Sequence, residues 1–322
     1  MNEFALQLLL TFDATLRVST PLILCAMAGM FSERSGIIDI SLEGKLLMGA
    51  FVAAAVAASS GSAWLGLICA TLACVVLSII HGFACITHRG NQVVSGLAIN
   101  ILASGLTITI GIALFSQGGQ TPLLGKAERF SPTQWWLVEQ MNNIPVLGTI
   151  YRELISGHNI LTYMALLVVP ISAYVFYKTR FGLRVRAVGE VPEAVDSAGI
   201  SVTWLRYRAV IIAGILCGIA GAYLSTAQGA GFVREMSAGK GYIALAAVIF
   251  GKWRPYPALF ACLMFGFLEA ASARLEGVEI PLIGEAPTQL MLALPYIMVV
   301  LLLAGFIGKA SPPAAIGEPY IK

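Results

Sequence analysis

Long apolar stretches alternate along the chain with short polar, charged or glycine-containing ones. Nine apolar runs stand out, near Ala14–Phe31, Leu46–Ser59, Trp64–Ile86, Val93–Phe115, Ile160–Tyr177, Ala209–Thr226, Tyr242–Phe250, Ala258–Ala273 and Leu290–Ile307. A bilayer core takes about 20 apolar residues per helix. The pattern therefore predicts an all-α polytopic membrane bundle of about nine segments, organised as one transmembrane domain over residues 1–322. The second and seventh runs are too short to span as drawn. Each follows a polar stretch containing glycine, DISLEGK and SAGKG respectively, which predicts broken or half-buried helices. These two interrupted segments also hint at a duplicated organisation, the pattern that points to a transport path.

Composition agrees with the periodicity: 58% of residues are hydrophobic, 11% are charged and the mean hydropathy is +0.83. A soluble domain carries about 25% charged residues. A net charge of +3 gives no ground for a nucleic-acid partner. The lipid bilayer is the expected surroundings. No basic region precedes Arg17, so the first segment is expected to stay in the mature protein rather than act as a cleaved signal. The six cysteines sit in apolar runs without C-x-x-C spacing and read as buried thiols, and no metal site is expected.

Charge sets the orientation. Lys178, Arg180, Arg184, Arg186, Arg206 and Arg208 crowd into one island, residues 178–208, which the positive-inside rule makes cytoplasmic. Alternating outward from it puts Glu33–Lys45, His88–Arg89, Lys252–Arg254 and Lys309 inside. The same count puts residues 116–159, with Trp135 and Trp136, and also Glu276, Glu279 and Glu285, outside. The N-terminus then comes out external and the C-terminus internal, with Arg17 awkwardly placed on the outer side. The external 116–159 loop is turn-rich and could be a cap, a partner surface or an irregular connection.

Within the island, Pro192 suits a first helical position, Glu190 and Glu193 complement the positive end of the dipole, and Gly199 can supply a left-handed stop. These signals predict a helix of about two turns. Its small apolar residues Ala194, Val195 and Ala198 fit a shallow groove on another protein. The island could equally be no more than a topological anchor.

Polar residues inside the membrane are the other candidates. Asp39, Ser41 and Glu43 stand at the entrance of the short second segment, and a carboxylate at that depth should line a cavity, lie at the interface or cap the helix. Gln92, Ser95 and Asn100, followed by Ser104 and Thr107, could bind a polyol or a nucleobase, or bond neighbouring helices. Glu269, deep in the eighth segment, is a site candidate by position. No phosphate-binding loop, H-E-x-x-H or G-x-S-x-G motif is present, so any ATP-driven transport requires an ATPase on another chain.

Three stretches, FSERSGIIDISLEGKLLMGAF, TRFGLRVRAVGEVPEAVDSAGI and GKGYIALAAVIFGKWRPYPAL, resemble permease subunits of bacterial ABC importers in the ribose and branched-chain amino acid permease superfamily. The likeness is strongest to the nucleoside and simple-sugar branch that works with basic-membrane-protein-type binding lipoproteins. It covers residues 13 to 308, and Asp39 departs from an expected Asn. The resemblance implies an ABC importer permease fold of about ten helices, of which this chain is expected to lack the first, in a bacterial inner membrane. It implies a second permease subunit, identical or homologous, cytoplasmic ATPase chains that use the ATP, and an external binding protein, with no cofactor held by this chain. It also implies ATPase coupling through Arg186, Gly189, Glu190, Pro192, Glu193, Ala194, Ala198 and Gly199. The reading that follows is a non-enzymatic permease subunit importing a nucleoside or simple sugar. Its alternative is an ion-coupled secondary transporter, which would make Glu269 or Asp39 indispensable. An intramembrane enzyme would need a nucleophile and base, or a metal cluster, that the spacing does not supply.

Overall fold

Where no water is available to the backbone, a helix satisfies each amide and carbonyl within its own segment, and the apolar runs adopt that form. The computed structural model describes residues 3–133, 155–275 and 311–321, with the isolated positions 148, 151, 279–280, 284–285, 293–294, 296–298 and 300–301. Its helices are α1 (Glu3–Arg34), α2 (Leu42–Ser60), α3 (Ala63–Gly82), α4 (Gln92–Phe115), α5 (Ile160–Lys178), α6 (Arg180–Glu190), α7 (Pro192–Ser197), α8 (Val202–Tyr223), α9 (Lys240–Phe250) and α10 (Pro255–Leu275). Helices α3 and α8 each close in a five-residue π turn, Phe83–Thr87 and Leu224–Gln228. A two-residue ladder, Glu279–Ile280 against Gly284–Glu285, is the one strand pairing among the described residues of this all-helical fold.

Among the described residues, seven helices are long and apolar enough to cross a membrane. The short second segment is corrected: α2 has 19 residues because Leu42, Glu43, Gly44 and Lys45 belong to it, giving about 28 Å of helix. Two charged side chains in the first turn hide that turn from a hydropathy reading. The seventh segment is short as expected, since α9 has 11 residues and spans about 16 Å. Of the nine segments, the Leu290–Ile307 run lies largely outside the described residues, as do Trp135, Trp136, Glu276 and Lys309.

Helices α2 and α8 are the most enclosed, and α4 the least. Helix α8 packs on α3, α1 and α2, while α1 carries α10, α9 and α5. Without a hydrophobic force between helices in lipid, close approach depends on small residues. Gly218 is one: a Cβ there would lie 2.4 Å from the Thr71 Cα of α3. The core that results is alanine-rich and includes Phe31 stacked on Phe176, 4.5 Å between centroids.

The segments given a positive, internal reading gather at one end. There Arg34 meets Trp253, Gln92 meets Ile38, Arg206 meets Ser35, and residues 311–321 lie across α6. At the opposite end Arg17, the awkward outer cation, is paired with Asp13 at 3.1 Å, and the Tyr223 hydroxyl donates to the Arg17 carbonyl at 2.8 Å. The first part of the 116–159 loop runs beside residues 226–232, with Phe130 N donating to Thr226 O and Thr121 N to Phe232 O.

Because α3 and α8 touch backbone to backbone at Gly218, Gly218→Val should destabilise the detergent-solubilised protein by about 1–3 kcal/mol, read as a lower melting temperature and folded yield. Gly105→Ala, where a Cβ meets open space, should leave both unchanged.

Candidate functional site

The link between α1 and α2, residues 35–41, re-enters the bundle alongside α4, and three polar residues of α4 hold it there. The Gln92 side-chain oxygen accepts from Ile38 N at 2.7 Å. Ser95 lies 3.0 Å from His81 Nδ1, whose ring partner Nε2 lies 3.0 Å from Ile38 O. A carbonyl can only accept, so Nε2 carries the hydrogen and Nδ1 accepts from the serine. Asn100 accepts from Gly44 N at 2.8 Å and donates to Ile40 O at 3.0 Å and to the Tyr242 hydroxyl at 2.9 Å. The sequence left open whether these residues bond a solute or the protein; Gln92 and Ser95 are bonded to the protein, and Asn100 also borders a cleft.

Asp39 and Ser41 are wholly buried. The Asp39 carboxylate accepts from Lys45 Nζ at 2.9 and 2.7 Å and from the Ser41 hydroxyl at 2.5 Å. Burial disfavours the ionised form of Asp39, and the Lys45 ammonium and the Ser41 hydroxyl bonded to it offset that cost. Lys45 is itself fully buried. An ion pair in that setting is tolerable only when both partners are present and hydrogen-bonded.

Glu43 reaches across to the second half. Its carboxylate accepts from Gly239 N at 2.8 Å and from Gly241 N at 2.7 Å, the free amides at the N-terminus of α9. A negative charge there is favoured by the helix dipole. The two interrupted entrances in the sequence thus meet each other directly. Asn100 lies eight residues into α4, about 12 Å along the helix, and Lys240 about 16 Å from the far end of α9. The meeting point is therefore set back by about two turns or more from the ends of these two helices.

Glu43, Leu47, Asn100, Ser104, Glu235 and Tyr242 border a cleft of about 590 Å³ beside this junction. Ser104 donates to Glu235 at 2.5 Å. Residues 229–239, which carry Glu235, are irregular in backbone. Irregular backbone at membrane depth belongs in a protein interior or along a water-filled cavity, and Glu235 is exposed. Glu269 lies apart from the cleft lining and is bonded to Lys240 at 2.5 Å. Glu235 and Tyr242 were missed from sequence. Their signal was a charged, glycine-rich stretch, GAGFVREMSAGKG, directly before a half-length helix.

At the far end of α9 the same motif grips again. Arg34 donates twice to Trp253 O, at 3.0 and 2.8 Å, and Trp253 Nε1 donates to Glu33 at 2.5 Å. Lys252 and Trp253 both adopt positive φ, 50° and 52°, a strained turn that persists only where surroundings over-determine it.

The charged island folds as two helices. α6, capped by the Thr179 hydroxyl on Gly182 N at 3.1 Å, was not expected. Its buried Val185 and Val188 share a face at helical spacing. α7 begins at Pro192 and ends at Ser197, before Gly199 at φ 76°, so the start and the left-handed stop are as expected while the helix is nearer one and a half turns. Glu193, Ala194, Ala198 and Gly199 are exposed. Pro192 and Val195 are largely buried, Val195 at the floor of the groove described next. Gly189 is buried, Arg186 lies over the Tyr177 ring at 5.2 Å, and Glu190 accepts from Ala314 N at 3.2 Å. An apolar groove of about 520 Å³ runs between α6 and α7, bordered by Leu183, Ala187, Val191, Ala194 and Ala198, with Arg184 and Glu190 on its rim.

A bundle of spanning helices that includes a half-length helix, with irregular backbone bordering a cleft at its start, has the architecture of a membrane permease. The chain belongs to the family described as the branched-chain amino acid transport system permease component, which it matches over residues 11–303. It is 41% identical to the guanosine ABC transporter permease protein NupQ of Bacillus subtilis, over 96% of this chain and 95% of that one. It is 37% identical to the nucleoside ABC transporter permease protein NupC of Lactococcus lactis, over 94% of each. Among solved structures, an ABC transporter of the metal-chelate type in an inward-facing conformation aligns with 91% of this chain and 84% of that one, at a TM-score of 0.50 and 14% identity. That likeness is one of fold.

Removing Lys45 strands a buried carboxylate. Lys45→Met should cost about 3–5 kcal/mol of stability in detergent, and adding Asp39→Leu should recover most of it. Thermal melts of the two single variants and the double variant measure the cycle.

Proposed function

We propose that this chain is the permease subunit of an ATP-driven importer of a nucleoside, doing no bond chemistry of its own. The observation that carries the reading is the exposed α6–α7 hairpin, whose apolar groove has charges on its rim and lies at the end of the bundle where basic segments gather. Such a surface suits a protein partner, and a chain without a phosphate loop takes its ATP-driven motion from ATPase chains docked there. ATP is used by those chains, and this one holds no cofactor. The names of the two relatives make a nucleoside the preferred solute, with a simple sugar next.

The remaining parts follow. Residues 1–322 form one transmembrane domain in a bacterial plasma membrane, with the hairpin and C-terminus cytoplasmic and the N-terminus external. A second permease subunit, identical or homologous, completes the path, and an external binding protein or lipoprotein delivers the solute. Glu43, Asn100, Ser104, Glu235 and Tyr242 line this subunit's wall of the path, offering acceptors and hydroxyls to a polyhydroxylated solute through weak, replaceable contacts. Asp39, Ser41, Gln92, Ser95 and the Glu269–Lys240 pair hold that wall in position. Asp39 and Glu269, the carboxylates that ion coupling would make indispensable, are each paired with a lysine, which gives both a structural use.

Two measurements test the proposal. Uptake of radiolabelled nucleosides in cells carrying the full transporter should require both this chain and an active ATPase; uptake that survives an inactive ATPase and collapses with the proton gradient would replace it with ion coupling. Ala194→Glu or Ala198→Glu should insert normally yet lose ATPase copurification and uptake, and retained association with full uptake would remove the groove from the docking surface.

A further inference from the structure

Arg206 belongs by sequence to the basic island, where a cation is expected to face water or lipid headgroups. It is instead 1% exposed. Its Nε donates to Ser35 O at 3.2 Å and its Nη1 to Glu318 O at 3.2 Å. Its Nη2 is buried without a hydrogen-bond partner, pressed so close to Gly36 that a Cβ there would lie 2.9 Å away. Desolvating a guanidinium for only two carbonyl bonds is costly. A topological anchor gains nothing from such a position.

What the guanidinium joins gives it a use. Ser35 and Gly36 open the re-entrant link that leads to Glu43 and the cleft. Glu318 lies in the C-terminal segment, which crosses the α6–α7 hairpin: Ala315 N donates to Gly189 O at 2.9 Å, and Gly317 N to Gly36 O at 3.0 Å. Arg206 itself stands in the first turns of α8, the helix that leaves the hairpin. Three elements that differ in sequence by more than a hundred residues therefore share one side chain.

Resting on the ATPase-driven reading, we infer that Arg206 is a positioning residue of the transport cycle. It ties the docking hairpin, through the C-terminal segment, to the re-entrant link, so that movement imposed on α6–α7 is delivered to the wall of the cleft instead of being lost in bending. The planar fork matters, since one ammonium cannot bond two carbonyls at fixed angles in the same way.

The test uses the assembled transporter in proteoliposomes, reading solute imported per ATP hydrolysed, ATPase copurification and thermal stability together. Arg206→Met should keep ATPase association and most hydrolysis while importing about tenfold less solute per ATP, an effect of the size residues on a coupling network exert. Arg206→Lys should fall between. Should Arg206→Met fail to fold, removal of residues 311–322 cuts the same tie with Arg206 in place and should lower the ratio in the same direction. A merely structural role would lower uptake and hydrolysis in proportion, and an unchanged ratio in the folded variants overturns the inference. Failure of the ATPase-driven reading would appear separately, as absence of ATP-dependent uptake by the unsubstituted transporter.

Discussion

The carboxylate of Glu43 is the contact on which the rest of the site depends. It is set inside the bundle of apolar helices, where a free carboxylate is costly, and it lies at the end of a half-length helix whose first amides have no partner within the helix. Each defect cures the other: Gly239 N and Gly241 N receive an acceptor, and the charge receives two donors and a favourable dipole. The bond also joins the two halves of the chain. Glu33 and Arg34, from the same FSERSGIIDISLEG stretch, secure the turn at the other end of the same helix, so one short motif clasps α9 at both ends.

The polar residues of the membrane interior follow a common rule. Asp39 and Lys45, and Glu269 and Lys240, are mutually neutralised; Gln92 and Asn100 are bonded to the re-entrant link, and Ser95 reaches it through His81. Irregular backbone at that depth is held by side chains because water does not reach it. Glu235, Ser104 and the Tyr242 hydroxyl stand instead at the cleft. That division between structural and available polar groups is what a solute path through a protein requires.

Much of this was legible in the chain. Apolar runs located the helices, glycine-bearing interruptions marked the two half-segments, and Pro192 with Gly199 bounded α7. The first turn of α2 was not legible, because Glu43 and Lys45 read as polar until their partners, 196 residues and six residues away, are known. Helix α6 was masked by its arginines, although Val185 and Val188 kept helical spacing. Partner choice was the general blind spot. A sequence reveals that Asp39, Glu43 and Glu269 are carboxylates at depth, but only the fold tells which is tied to a lysine and which caps a helix. Arg206 was misread most completely, since nothing local distinguishes a buried cation from a surface one.

Helix α4 is the least covered of the spanning helices, and the cleft with its exposed Glu235 opens along it. A neighbouring surface made only of leucine and valine could not close over that wall without stranding a charge in oil. Whatever lies opposite α4 in the membrane must itself be polar or wet, so the chain carries, in one uncovered helix, a specification for the chemistry of its neighbour.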